Sequence, residues 1–269
     1  MLQSLAIPCE VLHHDGGFLL VVPAEIAEKA RYEIWQYEQE NRASRPPPPG
    51  IRPVYQSGLY GAVGYVLVIS LVAVLSGESA FQRDWLAAGR VDGELIRAGE
   101  WWRTITALTL HSGLRHFVGN LGFGVFFGML AGRLLGPGVT WLAVVWSSSI
   151  ANFLNTLLLD SSHRAIGAST AVFAALGLLA GFVWRGRLMR QDRWAYRVGP
   201  LVGGVALLAF TGTGDANTDV GAHLAGFVCG LITGMLLTII YPLVTGKTVQ
   251  RWSGAAALGA VLLAWAFAL

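Results

Sequence analysis

Three clusters of polar residues interrupt an otherwise apolar chain of 269 residues. The first contains His116 and Asn120, which lie one helical turn apart and therefore share a helix face. The second contains Ser169, and the third contains His223. A serine, a histidine and further hydrogen-bond donors are the groups that nucleophilic acyl transfer requires. These four residues are therefore candidates for an active site.

The composition predicts an integral membrane protein. Charged residues make up only 13% of the chain and hydrophobic residues 54%, whereas soluble domains carry about 25% charged residues. This balance argues against a disordered chain, a nucleic-acid-binding protein and an ordinary soluble enzyme. Neither Cys9 nor Cys229 lies in a metal-ligand spacing, and no histidine is followed by Glu. We predict neither a metal nor a cofactor.

Seven stretches without charged residues approach the roughly 20 residues that a bilayer crossing needs, and each is predicted to be a helix. They are 57–77, 116–132, 134–159, 165–184, 198–214, 220–246 and 252–269. The fifth is short and is interrupted by Pro200. With the glycine-rich loop 212–219, it is our hypothesis for a moving lateral gate and cap.

The distribution of arginine predicts the orientation. Five arginines lie in the loop after the fourth span, whereas the loop after the fifth has neither Lys nor Arg. By the positive-inside rule the N-terminus is cytoplasmic. The second, fourth and sixth spans then begin in the outer leaflet, so the four candidate residues share one depth near the outer face. Arginine greatly outnumbers lysine, which is typical of a GC-rich bacterial genome and favours a bacterial inner membrane.

The polar N-terminal part is predicted to be a small cytoplasmic α+β region. Asp15-Gly16-Gly17 separates two strand-like runs and indicates a hairpin, and residues 24–41 have helical periodicity. Residues 42–56 form a proline-rich linker. We therefore divide the chain into an accessory region (1–41), a linker (42–56) and a transmembrane domain (57–269).

Small residues on the fourth and sixth spans favour close helix packing. Gly226, Gly230 and Gly234 repeat at four-residue spacing after His223. Such faces allow two helix backbones to approach closely. A direct hydrogen bond between Ser169 and His223 requires that closeness.

Together these motifs resemble those of the rhomboid family of intramembrane serine proteases. The matches, in chain order, are Trp102-Arg103 in the first outer loop, the His-x4-His-x3-Asn pattern of His111, His116 and Asn120, Gly167-Ala168-Ser169, and Ala222-His223 followed by Gly226 and Gly230. The resemblance covers residues 57–269. It implies a six-helix bundle with a C-terminal seventh transmembrane helix.

Residue roles follow from the resemblance. It implies that Ser169 is the nucleophile and His223 the general base and acid, with no third carboxylate. Asn120, His116 and the Ser169 backbone N–H would bind the oxyanion. Phe173 would stack on the histidine, in place of the orienting Asp of a triad.

The implied reaction is hydrolysis of peptide bonds in or near transmembrane segments of other membrane proteins. The chain departs from the family pattern at two positions. Thr170 stands where the family usually has Gly and would crowd the substrate or the oxyanion pocket. Gly132 stands where an acidic residue is often found. Gly167 and Gly226 are expected to support the site.

Several alternatives remain open. A proteolytically silent rhomboid-like protein that binds membrane clients is favoured by Thr170. An aspartyl protease is suggested by the string Gly212-Thr213-Gly214-Asp215, but no predicted span supplies a second carboxylate. A metalloprotease lacks its motif, and a transporter lacks further ionisable groups in the spans.

Overall fold

The computed structural model describes residues 2–14, 17–41, 55, 58–158, 162–186, 198–199, 202–206 and 219–269. The chain divides into two units, Met1–Pro49 and Gly50–Leu269. The domain boundaries after residues 41 and 56 stay predictions.

The first unit contains the predicted hairpin. Strands β1 (Glu10–His14) and β2 (Gly17–Val21) pair antiparallel, with Val11 opposite Leu20. Helix α1 (Ala27–Asn41) follows. A small apolar core consists of Leu2, Ile7 and Ala30. The Asp-Gly-Gly sequence between two strand-like runs accounts for the prediction of this hairpin.

The second unit is mainly helical. Its helices are α2 (Leu59–Gly77), α3 (Trp85–Gly89), α4 (Gly93–Arg97), α5 (Arg103–Thr106), α6 (Leu114–Leu135), α7 (Pro137–Leu158), α8 (Ser169–Gly186), α9 (Val220–Leu237), α10 (Tyr241–Val244) and α11 (Lys247–Ala268). Two short strands, β3 (Val91–Asp92) and β4 (Arg164–Ala165), pair antiparallel.

Six of these helices, α2, α6, α7, α8, α9 and α11, are long and apolar enough to cross a membrane. The protein is therefore an integral multi-pass membrane protein. The predicted fifth span, 198–214, lies largely outside the described residues, although 198–199 and 202–206 are helical. The hypothesis of a gate and cap at 212–219 also falls almost entirely outside them.

Glycine and proline set helix limits that the charge pattern did not reveal. The fourth span was predicted to begin at residue 165, but α8 begins at Ser169. Gly167 has φ +135°, a conformation that no helix accommodates. Between α6 and α7, Gly136 has φ +85° and is followed by Pro137. The predicted sixth span ends early, at Leu237, and residues 241–244 form the separate helix α10.

Helix α8 lies at the centre of the bundle. Of its most apolar stretch of residues, 67% is buried inside the protein, whereas the corresponding share is 17–44% for the other five spans. Phe182 and Leu178 are fully buried in the main core cluster. A helix surrounded in this way is held on every side, which suits a helix that must position a reactive group.

The loop between α2 and α6 is folded around Arg103, which is 6% exposed. Its Nε donates to Glu100 Oε2 at 2.6 Å, and one terminal nitrogen donates to Ala87 O at 2.8 Å. The last helix supports the same loop, because Trp265 Nε1 donates to Thr109 Oγ1 at 3.1 Å. These contacts fix the backbone that leads into α6 and the first polar cluster.

At the opposite end of α11, Gln250 joins three chain segments. Its Oε1 accepts from the backbone N–H of Gly138 at 2.9 Å and of Val139 at 3.1 Å. Its Nε2 donates to Leu135 O at 2.8 Å and to Val244 O at 2.7 Å. One buried amide therefore satisfies backbone groups at the ends of α6, α7 and α10.

Replacing Gln250 with Met keeps the side-chain volume but removes all four hydrogen bonds. Buried backbone groups left unpaired cost about 1–3 kcal/mol each, so we expect Gln250→Met to destabilise the bundle by about 3 kcal/mol or more. Thermal unfolding in detergent measures the loss. Val249→Ala, at a more exposed neighbour on the same helix, is the control. Equal shifts in the two variants would contradict the assignment.

Candidate active site

Ser169 is the first residue of α8 and follows a turn that depends on Gly167. The Gly167 N–H donates to Ala107 O at 2.9 Å, which fastens the turn to the preceding loop. A Cβ at residue 167 would lie 2.6 Å from His116 Cε1 and 2.8 Å from Nε2. Glycine is required here both by its positive φ and by the imidazole against it.

His223 lies in the first turns of α9 and is 6% exposed. Its ring stacks on Phe173, with centroids 4.6 Å apart and planes 23° apart. Phe173 is one turn after Ser169 on α8. Among the described residues, His223 Nδ1 is buried without a hydrogen-bond partner. The described residues also show no hydrogen bond between Ser169 and His223. The stack on Phe173 and the approach of Gly226 to Thr170 therefore bring the first turns of α8 and α9 together.

The packing of α8 against α9 depends on glycine from both sides. A Cβ at Gly226 would lie 2.6 Å from Thr170 O, and Gly230 and Gly234 contact the backbone of α8 one and two turns further on. In return, Gly177 and Gly181 of α8 contact the backbone of α9. The sequence predicted small residues on both helices, and the structure shows that these two faces pack against each other.

Gly226→Ala tests how closely the helices must approach. The added methyl group meets a backbone carbonyl rather than a flexible side chain, so α9 has to move. Overpacking costs typically 1–3 kcal/mol, and we expect a fall in thermal stability of about that size together with weaker labelling of Ser169 by a serine-reactive fluorophosphonate.

The control for this change is Gly259→Ala on α11, where an added Cβ meets nothing within 4 Å. If both variants had the stability and labelling of wild type, α8 and α9 would have room for a methyl group at residue 226, and the prediction would be wrong.

The first polar cluster reaches the same turn from α6. Asn120 is 7% exposed, and its Nδ2 has no hydrogen-bond partner among the described residues. Its backbone carbonyl accepts from the Tyr65 hydroxyl at 2.9 Å. His116 lies against Gly167, and its Nδ1 is 3.0 Å from Ser112 Oγ. The structure therefore gathers His116 beside the Ser169 turn and leaves Asn120 with an uncommitted donor.

His111 precedes α6 and supports His116. The two rings meet edge to face with centroids 5.4 Å apart. Burial, with a smaller contribution from the charge of His116, lowers the pKa of His111 to about 4. His111 is therefore uncharged near neutral pH, and it packs as an aromatic ring rather than as a cation.

A small cavity opens beside Ser169. Its lining includes Ser169, Thr170, Asn152 and Asp219. Asn152 also donates from Nδ2 to Thr104 O at 2.9 Å, which ties α7 to the loop before α6. Thr170, the departure from the family pattern, is 4% exposed, and its methyl group lies on the α9 side near Gly226.

Sequence reasoning missed a polar group around Asp219. The Asp219 carboxylate accepts from the Ala222 N–H at 2.9 Å, from Asn155 Nδ2 at 3.0 Å, and lies 2.7 Å from His163 Nε2. An Asp directly before an apolar run is an N-cap signal, which was available in the sequence. The parts played by Asn155 and His163 carry no local signal.

The described residues contain no group of three or more His, Cys, Asp or Glu able to hold a metal ion. The polar side chains gathered around Ser169 are instead hydroxyls, imidazoles, amides and the carboxylate of Asp219. This set suits proton transfer and hydrogen bonding to a developing charge.

The structure is a membrane helix bundle with a serine and a histidine on adjoining helices. Comparisons with known proteins identify the family to which this bundle belongs. Residues 98–240, more than half of the chain, match the Rhomboid domain family. The chain belongs to the rhomboid family, which confirms the resemblance seen in the motifs.

Named relatives have similar sequences. The chain is 27% identical over 191 residues to "Rhomboid protease GluP" of Bacillus subtilis, covering 68% of this chain and 36% of that protein. It is 28% identical over 179 residues to "Rhomboid-like protease 1" of Toxoplasma gondii, covering 62% of this chain and 57% of that protein. The chain thus spans between about a third and three fifths of the length of these relatives.

Proposed function

We propose that this protein is an intramembrane serine endopeptidase that uses a Ser169–His223 dyad. The observation that carries the proposal is the stack of Phe173 on His223, at 4.6 Å, one turn from Ser169 at the head of α8. The stack orients the imidazole without a carboxylate in contact with it, and the glycine faces of α8 and α9 keep it close to the serine.

In this mechanism Ser169 Oγ forms a bond to the carbonyl carbon of the scissile peptide, and its proton passes to His223. The carbonyl π electrons move to the oxygen, giving an oxyanion. Asn120 Nδ2, His116 and the Ser169 N–H donate to that oxygen. Collapse breaks the C–N bond, and His223 returns the proton to the leaving amine.

Deacylation repeats this sequence with water as the nucleophile. Water bonds to the acyl carbon and gives a proton to His223, which passes it to Ser169 Oγ as the ester bond breaks. The hydrogen bond between Ser169 and His223 forms once substrate closes the site, because catalytic hydrogen bonds commonly tighten only in the complex.

The substrates we propose are single-span or other membrane proteins, cleaved in or near a transmembrane segment. A helical segment must unwind to reach Ser169, so helix-breaking or small residues near the outer face favour cleavage. The proposed setting is a bacterial inner membrane, with the N-terminus cytoplasmic and the site near the outer face.

The second candidate is a proteolytically silent rhomboid-like protein that binds membrane clients. Thr170 favours it, since this β-branched residue borders the cavity beside Ser169. The absence of a Ser169–His223 hydrogen bond among the described residues favours it as well. Both candidates require the same fold, so only reactivity separates them.

The test is to expose the purified full-length protein to a fluorophosphonate probe and to find the labelled residue by mass spectrometry. Labelling confined to Ser169, together with cleavage of members of a panel of single-span proteins in vesicles, supports the protease. Folded protein that neither reacts with the probe nor cleaves any member of the panel would overturn the proposal in favour of the silent binder.

A further inference from the structure

Asp219 lies at the junction between α9 and the segment before it. It is the N-cap of the helix, one turn before His223. The His223 N–H donates to the Asp219 carbonyl at 3.1 Å, and the Asp219 carboxylate accepts from the Ala222 N–H at 2.9 Å. The carboxylate is therefore fixed to the same helical turn as the imidazole.

Two further elements hold the Asp219 carboxylate in place. Asn155 of α7 donates to it at 3.0 Å, and His163 Nε2 lies 2.7 Å from it. His163 belongs to the segment that leads to Ser169. The side chain of Asp219 is 15% exposed. A cap alone needs only the bond to Ala222, so the two added partners hold the carboxylate in one orientation beyond what capping requires.

Within the described residues, few charged groups lie around His223, and Asp219 is one of them. The ionisable groups that act electrostatically on His223 are Asp219, on its own helix, and His116, from α6. Helix α7 has no charged residue, and α8 has only Arg185, in its last turn. His163 contacts Asp219 rather than His223. In the part of the chain that the structure describes, Asp219 is thus the single anion in this group.

We infer that Asp219 is a positioning residue for His223. Its carboxylate, held in one orientation by its hydrogen-bond partners, stabilises the imidazolium that forms when His223 takes the Ser169 proton. This inference rests on the proposed function. The resemblance to rhomboid proteases implied no third carboxylate, and none touches the imidazole through a side-chain hydrogen bond among the described residues. The negative charge of Asp219 instead acts on the imidazole electrostatically, from one helical turn away.

The electrostatic role of Asp219 can be separated from its capping role by replacing it with neutral residues that still cap the helix. Asn and Ser cap helices about as well as Asp, so Asp219→Asn and Asp219→Ser retain the start of α9 and lose the charge. We expect fluorophosphonate labelling of Ser169 to be about tenfold slower in both variants near neutral pH. The folded protein is expected to persist with a modest fall in its unfolding midpoint, because the bond to Ala222 is kept while the contacts with Asn155 and His163 are weakened or lost.

The pH profile supplies a readout that a purely structural role would not change. Without the anion, protonation of His223 is less favourable, so the neutral, reactive imidazole persists to lower pH. The acid limb of the labelling rate, measured in full-length protein from about pH 3 to 8 so that the window extends below the ordinary histidine range, is expected to move down by about one pH unit. The difference in labelling rate between wild type and variant therefore becomes smaller as the pH falls.

The matched control is Asp84→Asn. Asp84 caps α3 by accepting from the Ala87 N–H at 2.9 Å, and it lies in the loop before α6. This change should leave the labelling rate and the pH profile as they are in wild type.

The remaining outcomes distinguish a failure of the proposed function from a failure of this inference. Wild-type protein that does not label contradicts the proposed function itself. Wild-type protein that labels while both neutral-cap variants match its rate and pH profile overturns only this inference. Loss of the folded protein in both variants also overturns it, because Asp219 would then serve folding rather than His223.

Discussion

Ser169→Ala is expected to abolish cleavage of membrane-protein substrates and all fluorophosphonate labelling. The hydroxyl of Thr170, the next residue, projects from a different face of α8 because successive helix residues are about 100° apart. The nucleophile is therefore lost, and such a loss typically reduces turnover by at least about 10⁴-fold. The fold should persist, because Ser169 makes no side-chain hydrogen bond within the described residues. Cleavage of a single-span substrate in vesicles gives the measurement.

Ser148→Ala is the matched control. Ser148 is fully buried in α7, and its Oγ donates to Val144 O at 2.6 Å within its own helix. The same atom is removed from another membrane helix, and we expect activity close to wild type. Residual cleavage by Ser169→Ala above background would mean that another group is the nucleophile and that the dyad is wrongly assigned.

Asn120→Ala is expected to lower kcat by about 10²–10³, the usual cost of removing one oxyanion donor. KM should change little, because the bond forms only as charge develops on the substrate oxygen. Stability should fall by no more than about 1 kcal/mol, since Nδ2 has no partner to lose among the described residues. Steady-state kinetics and thermal unfolding of the same preparation separate the two effects.

Thr140→Ala provides a comparison for Asn120→Ala. Thr140 of α7 is also fully buried, and its Oγ1 likewise has no hydrogen-bond partner in the described part of the chain. Removing it should leave kcat unchanged. If Asn120→Ala loses stability in proportion to activity, Asn120 has a packing role only.

Much of the bundle could be predicted because the reasons for it are local. A stretch of about 20 residues without charge has to be helical in hydrocarbon, and this property located the six described spans. Their ends were predicted less well. The start of α8 at Ser169 depends on the positive φ of Gly167 and on the imidazole of His116 beside it, and the latter is a contact between distant parts of the chain.

For the site, the sequence by itself determined which groups are available and on which spans they lie: Ser169, His223, His116 and Asn120, at the starts of three helices. The family resemblance implied that Phe173 stacks on His223, and only the tertiary structure shows that contact. The tertiary structure also decided that Asp219 meets His163 and Asn155, which are 56 and 64 residues away in the chain. The physical reason is that hydrophobic periodicity and charge specify each helix separately, whereas the contacts between helices depend on how their backbones and side chains fit together.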